Sequence, residues 1–428
     1  MRRHLSWTVA LMAIGTSGCQ TYSARPIDLG RVFEDLRLTT AEPSVNVSDG
    51  LTLAEAERLT LVLSPELRRA RLAAGVTRAS LDHAGAFPNP SLGVDVSGIL
   101  HDVPSPWRLS TGIAFTVPLS GRLGAEVRRA TAGHRASLFR VAQRERDVLA
   151  TLRSNWLRWS AATRRIALVE AHLAVARPLL PRIEALAKDG EVGLSEAGLL
   201  AAVLRSRAAR LTWLRSEAER LRLEVLATVG LTATSGATLT AITELPEVTR
   251  VTDEALGHHP AVREAVAEYA ASEAALEREV SGQYPDLGIG LTTDHDQGKW
   301  GLGIGLTIPL PFFDRNQRGI AEAQARRELR GSGVSRAASR LLAERSLAEA
   351  ARASALDRQR TLQDDVLPAV KAQLARLRKM IAAGEVSALL LDDALSRALE
   401  IDEALLDAAL ELNLARARLM ALAPEVSP

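Results

Sequence analysis

Apolar runs long enough to cross a bilayer as a helix are missing from this sequence after its N-terminus. A membrane-spanning helix needs about 18 or more consecutive apolar residues, so a transporter built from several such helices is excluded. Aromatic residues are also scarce, at 4% of the chain, and the apolar residues are mostly alanine, leucine and valine. This composition is typical of long helices packed side by side rather than of one bulky globular core.

An excess of charge of one sign is missing as well. The 53 basic and 51 acidic residues nearly cancel, and they are interleaved along the sequence. Nucleic-acid binding requires basic residues clustered on one face, and the sequence contains no such cluster. We therefore exclude nucleic acid as a partner.

Catalytic signatures are absent from the sequence. It contains no CxxC, no HExxH, no phosphate-binding loop and no Gly-x-Ser-x-Gly elbow. Methionine occurs at 4 positions, which provides no ladder of thioethers for soft metal ions. We predict that the protein is not an enzyme and that it uses no cofactor.

Cysteine occurs once, at Cys19, which excludes an intrachain disulfide. It follows a short basic start and an apolar stretch, residues 5–14, which is too short to span a bilayer. This arrangement resembles the lipobox of bacterial lipoproteins, in which the cysteine is acylated. We predict a signal peptide over residues 1–18 and an extended, lipid-anchored arm over residues 19–50. A plain cleaved signal with an incidental cysteine is the alternative.

The rest of the chain repeats one plan at a spacing of roughly 191 to 197 residues. The corresponding segments are 64–67 with 259–262, 87–93 with 284–288, 116–119 with 307–310, and 190–192 with 384–386. Each copy is predicted to run helix, two strands, very long helix, tight turn, helix. The two repeats span residues 51–230 and 258–423, and a threonine-rich linker, residues 231–257, joins them.

Large apolar residues alternate with small or polar residues in the four predicted strands. The apolar positions are Leu92, Val94 and Val96, then Leu109, Ile113, Phe115 and Val117, then Leu287, Ile289 and Leu291, and finally Trp300, Leu302, Ile304, Leu306 and Ile308. The positions between them are mainly glycine, serine and threonine, which cannot fill a core. The pattern predicts one face towards lipid and the other towards a water-filled lumen. A soluble pair of hairpins packed under helices is the alternative.

Four strands cannot close a barrel. Open strand edges in lipid leave backbone groups unpaired, at a cost of several kcal/mol each. The chain must therefore assemble with further copies into a barrel whose strand number is a multiple of four. Twelve strands from three chains fit, and physical reasoning alone also allows eight or sixteen.

Two long segments, about residues 122–189 and 316–383, carry apolar stripes at helical spacing. At about 1.5 Å per residue, each would form a rod of roughly 100 Å, long enough for a tunnel through part of the periplasm. An antiparallel coiled-coil scaffold is the alternative for the helices alone. Pro178, Pro181 and Pro368 lie inside these segments, and we expect kinks or breaks there because proline removes a backbone donor.

The chain resembles the TolC family of outer-membrane efflux proteins over nearly its whole length after residue 50. The resemblance is carried by residues 51–56, 64–67 and 87–90, by the duplicated strand pair and by the paired Gly-Glu-Val turns. It implies a fold that is mainly α with membrane β, in which each chain gives four strands to a trimeric, twelve-stranded β-barrel. It also implies a long α-helical barrel in the periplasm.

The same resemblance implies a function and partners. The chain would be a homotrimeric exit duct in the bacterial outer membrane, which passively exports substrates delivered by a periplasmic adaptor and an inner-membrane pump of the RND type. A periplasmic helical scaffold lipoprotein without transport activity is the alternative. The sequence leaves open the cargo, the cognate pump and adaptor, the resting state of the duct and the role of the three prolines.

The resemblance also implies functional residues near the two turns. The tip that docks onto the adaptor would contain Gly190, Val192, Gly193, Leu194, Gly384 and Val386. The carboxylates that ring the closed periplasmic aperture would be Asp393, Glu196 and Asp392, which three-fold symmetry would bring together on the axis. These acids could instead be solvated residues that favour the start of a helix.

Residues 308–317 are similar to the strand-to-helix corner of the CzcC-like branch, which is linked to heavy-metal efflux. Proline that stops a strand and Asp or Asn that caps a helix explain these residues without any metal. A weak candidate site for a cation lies in the predicted hairpin loops, at His101, Asp294, His295 and Asp296. Ordinary polar loops are the alternative for those four residues.

Overall fold

The computed structural model describes residues 21–38, 49–98, 100, 106–190, 193–248, 250–296, 298–382 and 388–423. It divides the chain into two units, Met1–Thr40 and Ala41–Pro428. In the first unit, helix α1 (Leu29–Leu38) lies within the arm that the sequence predicts to be extended. Asp28 starts this helix, because its carboxylate accepts a hydrogen bond from the backbone N–H of Arg31. The arm is therefore not extended throughout, and Cys19 lies outside the described residues.

The second unit contains both repeats in the predicted order. The first copy consists of α2 (Leu53–Leu63), α3 (Pro65–Asp82), β1 (Ser91–Gly98), β2 (Trp107–Val117), α4 (Arg122–Ala176), α5 (Leu179–Lys188) and α6 (Leu194–Val229). The second copy consists of α7 (Asp253–Gly257), α8 (Pro260–Ser281), β3 (Leu287–Asp296), β4 (Lys299–Thr307), α9 (Gln317–Arg360), a π-helical turn (Thr361–Val366), α10 (Leu367–Ala382) and α11 (Ala388–Leu422). Both copies therefore share one plan, as their sequences indicate.

Proline begins the same helix in each copy. Pro65 is the first residue of α3 and Pro260 is the first residue of α8, where a missing N–H removes no helical hydrogen bond. His259 caps α8, because its Nδ1 accepts from the Ala261 N–H and its Nε2–H donates to the Ala421 carbonyl at 3.2 Å. Burial, with Arg146 nearby, lowers the pKa of His259 to about 4, so the ring is neutral in this role.

The long helices are interrupted where prolines were expected to disturb them. Helix α4 runs for 55 residues and ends at Ala176, and α5 starts after Pro178. Pro181 falls in the first turn of α5, where the missing N–H costs nothing further. In the second copy the π-helical turn immediately precedes α10, whose second residue is Pro368. Widening the helix there relieves the clash between the proline ring and the carbonyl one turn earlier.

The helices of the second unit pack around α4. Near the strands α4 contacts α3 and α8, and nearer the turns it contacts α6 and α11. Helices α8 and α11 also contact α9. The buried residues of α9 are mostly alanine: Ala323, Leu341, Ala348 and Ala355. Most of the surface of this 44-residue helix is therefore uncovered in a single chain.

The linker between the repeats is part of the core. Leu51 and Leu239 form a parallel bridge, and Leu51 is fully buried. The indole N–H of Trp156 in α4 donates to the Thr240 carbonyl at 3.1 Å. The side chain of Asn413 in α11 accepts from the Leu245 N–H at 2.7 Å. The linker thus ties α4 to α11 through hydrogen bonds of its own backbone.

Gly230, which ends α6, allows a test of how closely α6 approaches Leu63. Its φ is +95°, and a Cβ there would lie 2.7 Å from the Leu63 carbonyl oxygen. Gly236 also has a positive φ, of +68°, but open space around it. A left-handed backbone costs either alanine variant about 1–2 kcal/mol. We expect Gly230→Ala to lower the free energy of unfolding by at least about 1 kcal/mol more than Gly236→Ala, because it adds a clash with the backbone.

The measurement is denaturant unfolding in detergent, followed by far-UV circular dichroism. Equal destabilisation by the two alanines would contradict the close approach of α6 to Leu63.

Candidate functional site: the strand faces and the turn end of the helices

The four strands form one antiparallel sheet in the order β1-β2-β3-β4. Residues opposite each other in an antiparallel ladder point to the same face. The register places Leu92 opposite Ile113, Ile113 opposite Leu291, and Leu291 opposite Ile304. A continuous apolar row therefore crosses all four strands, as the alternation in the sequence predicts.

No other described part of the chain covers this apolar face. Ile304, on the outer strand β4, is 78% exposed. Other exposed members of the face are Leu92, Val94, Val96, Leu109, Phe115, Ile289, Leu291, Leu302 and Leu306. An uncovered apolar sheet of this size is unfavourable in water and requires either lipid or another protein against it.

The opposite face is lined by small and polar residues. Gly93 lies opposite Gly112, Gly112 opposite Thr292, and Thr292 opposite Gly303. The charged residues on this face of the described strands are Asp95, Arg108, Asp294, Asp296 and Lys299. They lie towards the hairpin ends of the strands, so the half nearer the helices is uncharged. Such a surface suits water rather than a packed core.

Polar side chains on the apolar face make contacts within the sheet. The hydroxyls of Thr111 and Thr293 lie 2.7 Å apart across β2 and β3 and hydrogen bond to each other. The ring of His295 packs against Trp300 with the ring centroids 4.8 Å apart. These contacts lower the cost of placing polar side chains on a surface that faces lipid.

Exposed aromatic residues mark both ends of the sheet. Trp107 and Trp300 lie at the hairpin end. The segments that join the other end to the helices carry exposed Phe87, Tyr284, Phe312 and Phe313. Girdles of aromatic residues at both interfaces are typical of transmembrane β-barrels, because their rings have an apolar body that suits the headgroup region.

The structure separates the described members of the weak candidate site for a cation. Asp294, His295 and Asp296 belong to β3 rather than to a loop, so the prediction of their place is wrong. The pleat sends His295 to the apolar face and both aspartates to the opposite face. His101 lies outside the described residues. Within the described ranges no group of three or more His, Cys, Asp or Glu side chains could hold a metal ion.

At the far end of the helices, the first turn exposes an apolar residue. Gly190 has a φ of +78°, which lets the chain leave α5, and Gly193 caps the start of α6. Leu194, the first residue of α6, is 78% exposed. The other proposed tip residues, Val192, Gly384 and Val386, lie outside the described residues.

The neighbouring acids Asp392 and Asp393 have different surroundings. Asp392 is only 6% exposed. The guanidinium of Arg207 in α6 donates a hydrogen bond to each of its carboxylate oxygens, at 2.6 and 3.1 Å. Asp393 is exposed and pairs with Arg397 one turn along at 2.8 Å. Glu196 lies in the first turn of α6. Asp392 is therefore a link between helices within one chain, whereas Asp393 faces solvent.

The Arg207–Asp392 pair belongs to a network that the sequence does not reveal. Arg210 of α6 pairs with Glu403 of α11 at 2.7 Å, and Arg165 of α4 contacts both Glu403 and Asp407. Buried His172 lies nearby, and desolvation, together with Arg207, lowers its pKa. No spacing of residues in the sequence predicts this network, because its members come from three helices that are distant in sequence.

The sheet ends in two edge strands, β1 and β4. No described strand of this chain pairs with the outer edge of either one. Among the described residues, no helix has the length and apolar character needed to cross a membrane.

Residues 251–423 match the family described as Outer membrane efflux protein. The match covers the second repeat. The first repeat has the same plan of helices and strands, so the sequence resemblance to the family is confirmed. The chain is also similar to the nickel-cobalt-cadmium resistance protein NccC of Alcaligenes xylosoxydans xylosoxydans. The two are 32% identical over 244 residues, 56% of this chain and 53% of the relative. The match thus spans about half the length of NccC.

Two solved channel structures share the fold. CusC superposes with a TM-score of 0.74 at 18% identity, over 95% of this chain and 99% of that chain. The outer membrane channel CmeC of Campylobacter jejuni superposes with a TM-score of 0.74 at 13% identity, over 96% of this chain and 95% of that chain. The predicted fold, mainly helical with four antiparallel strands per chain, is confirmed.

The two neighbouring acids give a matched test of the link between α6 and α11. Asp392→Asn leaves the charge of Arg207 buried without a counter-charge, so we expect a loss of about 3 kcal/mol in the free energy of unfolding. Asp393→Asn has the same change in shape and charge on an exposed residue, and we expect no measurable loss. Denaturant unfolding in detergent compares the two. A stable Asp392→Asn variant would contradict the buried pair.

Proposed function

We propose that this protein is the exit-duct subunit of a tripartite efflux system in the bacterial outer membrane. It would passively pass substrates that an inner-membrane pump and a periplasmic adaptor deliver. The uncovered apolar sheet face carries this proposal, because it is backed by a face of glycine, serine and threonine and bordered by two unpaired edges. Lipid on one face and water on the other satisfy both surfaces at once.

The open edges support assembly as a homotrimer. Backbone groups on β1 and β4 need partners in lipid, and three copies of a four-stranded sheet would give a twelve-stranded barrel. The uncovered surface of α9 is consistent with helix packing between copies. Similarity in fold to CusC and CmeC also supports this arrangement. Acylation of Cys19 would anchor the arm of each chain in the same membrane.

The turn end of the helices would contact the other components. The tip with Gly190, Gly193 and exposed Leu194, together with residues 192, 384 and 386, would dock onto the adaptor of an RND-type pump. The periplasmic aperture would be ringed by Asp393 and Glu196, where three-fold symmetry brings like charges together. Asp392 belongs to the same proposed ring. It would support the ring from a buried position, through its ion pair with Arg207.

Heavy-metal cations are the cargo that we propose. The support is the similarity to NccC, a nickel-cobalt-cadmium resistance protein, over about half the length of that relative. A duct needs no tight metal site, since a strong ligand set would retain the ion rather than release it. The scaffold alternative accounts for the helices, but it gives no role to the exposed apolar sheet. We propose no catalytic role.

Planar-bilayer recording tests the duct and its aperture together. We expect purified protein to form channels, and Asp393→Ala to raise the conductance of the closed state and to weaken block by cations, because it removes charge from the axis. Glu400→Ala is the matched control, since Glu400 is an exposed acid two turns further along α11.

Protein that inserts into bilayers without conducting would contradict the duct and favour the scaffold. Channels with currents unchanged by Asp393→Ala would contradict only the role of Asp393.

The cargo is tested in cells. Deleting the gene should lower the concentration of nickel, cobalt or cadmium that stops growth, while leaving tolerance to organic drugs unchanged. Tolerance is measured as the minimum inhibitory concentration, with the intact gene restored as the control. Equal loss of tolerance to metals and drugs would contradict metal selectivity.

A further inference from the structure

One histidine is buried beside the ion pairs at the turn end of the helices. His172 of α4 is 8% exposed. Val169 and Leu173, its neighbours in α4, belong to an apolar cluster that also contains Leu204 of α6 and Leu399 of α11. The imidazole therefore lies where α4 packs against α6 and α11. The passive duct gives this buried, ionisable group no role.

The charged groups that act on this ring come from both neighbouring helices. They are Arg207 of α6 and Asp392 and Glu403 of α11. Arg207 pairs with Asp392, and Arg210 of α6 pairs with Glu403. These two pairs form the α6–α11 link. His172 thus lies against the contacts that hold α6 to α11.

The charges of this network balance without the histidine. Its cations are Arg165, Arg207 and Arg210, and its anions are Asp392, Glu403 and Asp407. Each of the three carboxylates pairs with at least one of the guanidinium groups. A protonated His172 would add a fourth positive charge, and every carboxylate of the network is already engaged.

The imidazole also has no acceptor for a second N–H. Its Nε2 is buried and has no hydrogen-bond partner among the described residues. Both ring nitrogens carry hydrogen when the ring is protonated. Protonation would therefore bury a charged donor without an acceptor, which costs far more than burying the neutral ring.

We propose that His172 takes up a proton from the periplasm in mild acid, and that this releases the α6–α11 link and favours the open state of the duct. The inference rests on the proposed function and adds its regulation. Release would let water reach the charged ring and would free Asp392 to leave Arg207 for the imidazolium. Asp393 follows Asp392 directly in α11, so a shift of α11 would also move this proposed aperture residue.

The direction of the effect follows from the surroundings of the ring. Burial lowers the pKa of His172 and Arg207 lowers it further, whereas Asp392 and Glu403 oppose this change. Once the link is released and water enters, the pKa would return towards the ordinary histidine value of 6.5. The released state therefore binds the proton more tightly, and by linkage acid favours that state.

Histidine is the residue type in this network whose ordinary pKa lies between about 5 and 8. Carboxylates ordinarily titrate at about pH 4, and arginine keeps its charge. Among the described residues, the other buried histidine is His259. Its pKa of about 4 keeps that ring neutral in mild acid. A response of this region to mild acid would therefore come through His172.

The position of His172 along α4 suits such a release. Helix α4 ends four residues later, at Ala176, and α5 begins after Pro178. This break separates α5 from the long rod of α4. The segment that carries the turn can therefore tilt without bending α4, as at other hinges placed at the ends of helices.

Planar-bilayer recording at two pH values tests the inference. Lowering the pH from about 7.5 to about 5.5 should raise the ratio of open to closed channels, by up to about tenfold per pH unit for each linked proton. His172→Gln and His172→Phe cannot take up the proton, so both should remove this response. His172→Arg carries a permanent charge and should favour the open state already at about pH 7.5.

His83→Gln is the matched control, since His83 is an exposed histidine at the end of α3. It should keep the full response of the wild type. A wild type that does not respond to acid would overturn the inference, as would a response that survives in both neutral variants of His172. Channels of His172→Arg that are as closed as those of the wild type at about pH 7.5 would also overturn it.

Hydrogen exchange separates this inference from the proposed function, because it does not depend on conduction. Backbone amides in residues 200–214 of α6 and 392–407 of α11 should exchange faster at about pH 5.5, after correction for the intrinsic effect of pH. Residues 122–136 of α4 serve as the reference, and His172→Gln should abolish the difference. Exchange that responds in this way in protein without channels would overturn the duct alone. Conducting channels whose exchange is independent of pH would overturn the inference alone.

Discussion

Backbone hydrogen bonding at the edges of the sheet is the constraint on which the rest of the structure depends. A strand edge in hydrocarbon has no water to satisfy its N–H and C=O groups, so β1 and β4 cannot remain unpaired there. In hydrocarbon, a single chain would therefore leave the backbone groups of both strand edges without hydrogen-bond partners. The exposed apolar face and the outer surface of α9 are both left uncovered by the described part of the chain.

The two copies of one plan meet in the middle of the sheet. Strand β2 of the first copy pairs with β3 of the second, which leaves β1 and β4 as the two edges. Arg122 and Asp286 fasten the repeats within the chain, whereas the corresponding corner of the second copy is longer and aromatic.

Farther along the helices, ion pairs add to an apolar cluster. Leu173, Leu200 and Leu204 belong to this cluster. The ion pairs of Arg207 with Asp392 and of Arg210 with Glu403 join α6 to α11. The first of these pairs is buried, and its energy depends on both partners staying in place. The helices near the turns are thus joined by both apolar packing and specific polar contacts.

The sequence by itself determined the repeat, the four alternating strands and the positions where prolines interrupt the helices, because each is a local pattern with a fixed period or a fixed steric effect. Tertiary structure alone decided which acid is buried: Asp392 and Asp393 look alike in sequence, and only the approach of α6 brings Arg207 to one of them. It also decided that His295 and its neighbouring aspartates point to opposite faces, since the end of β3 could not be located from the loop-like composition of those residues.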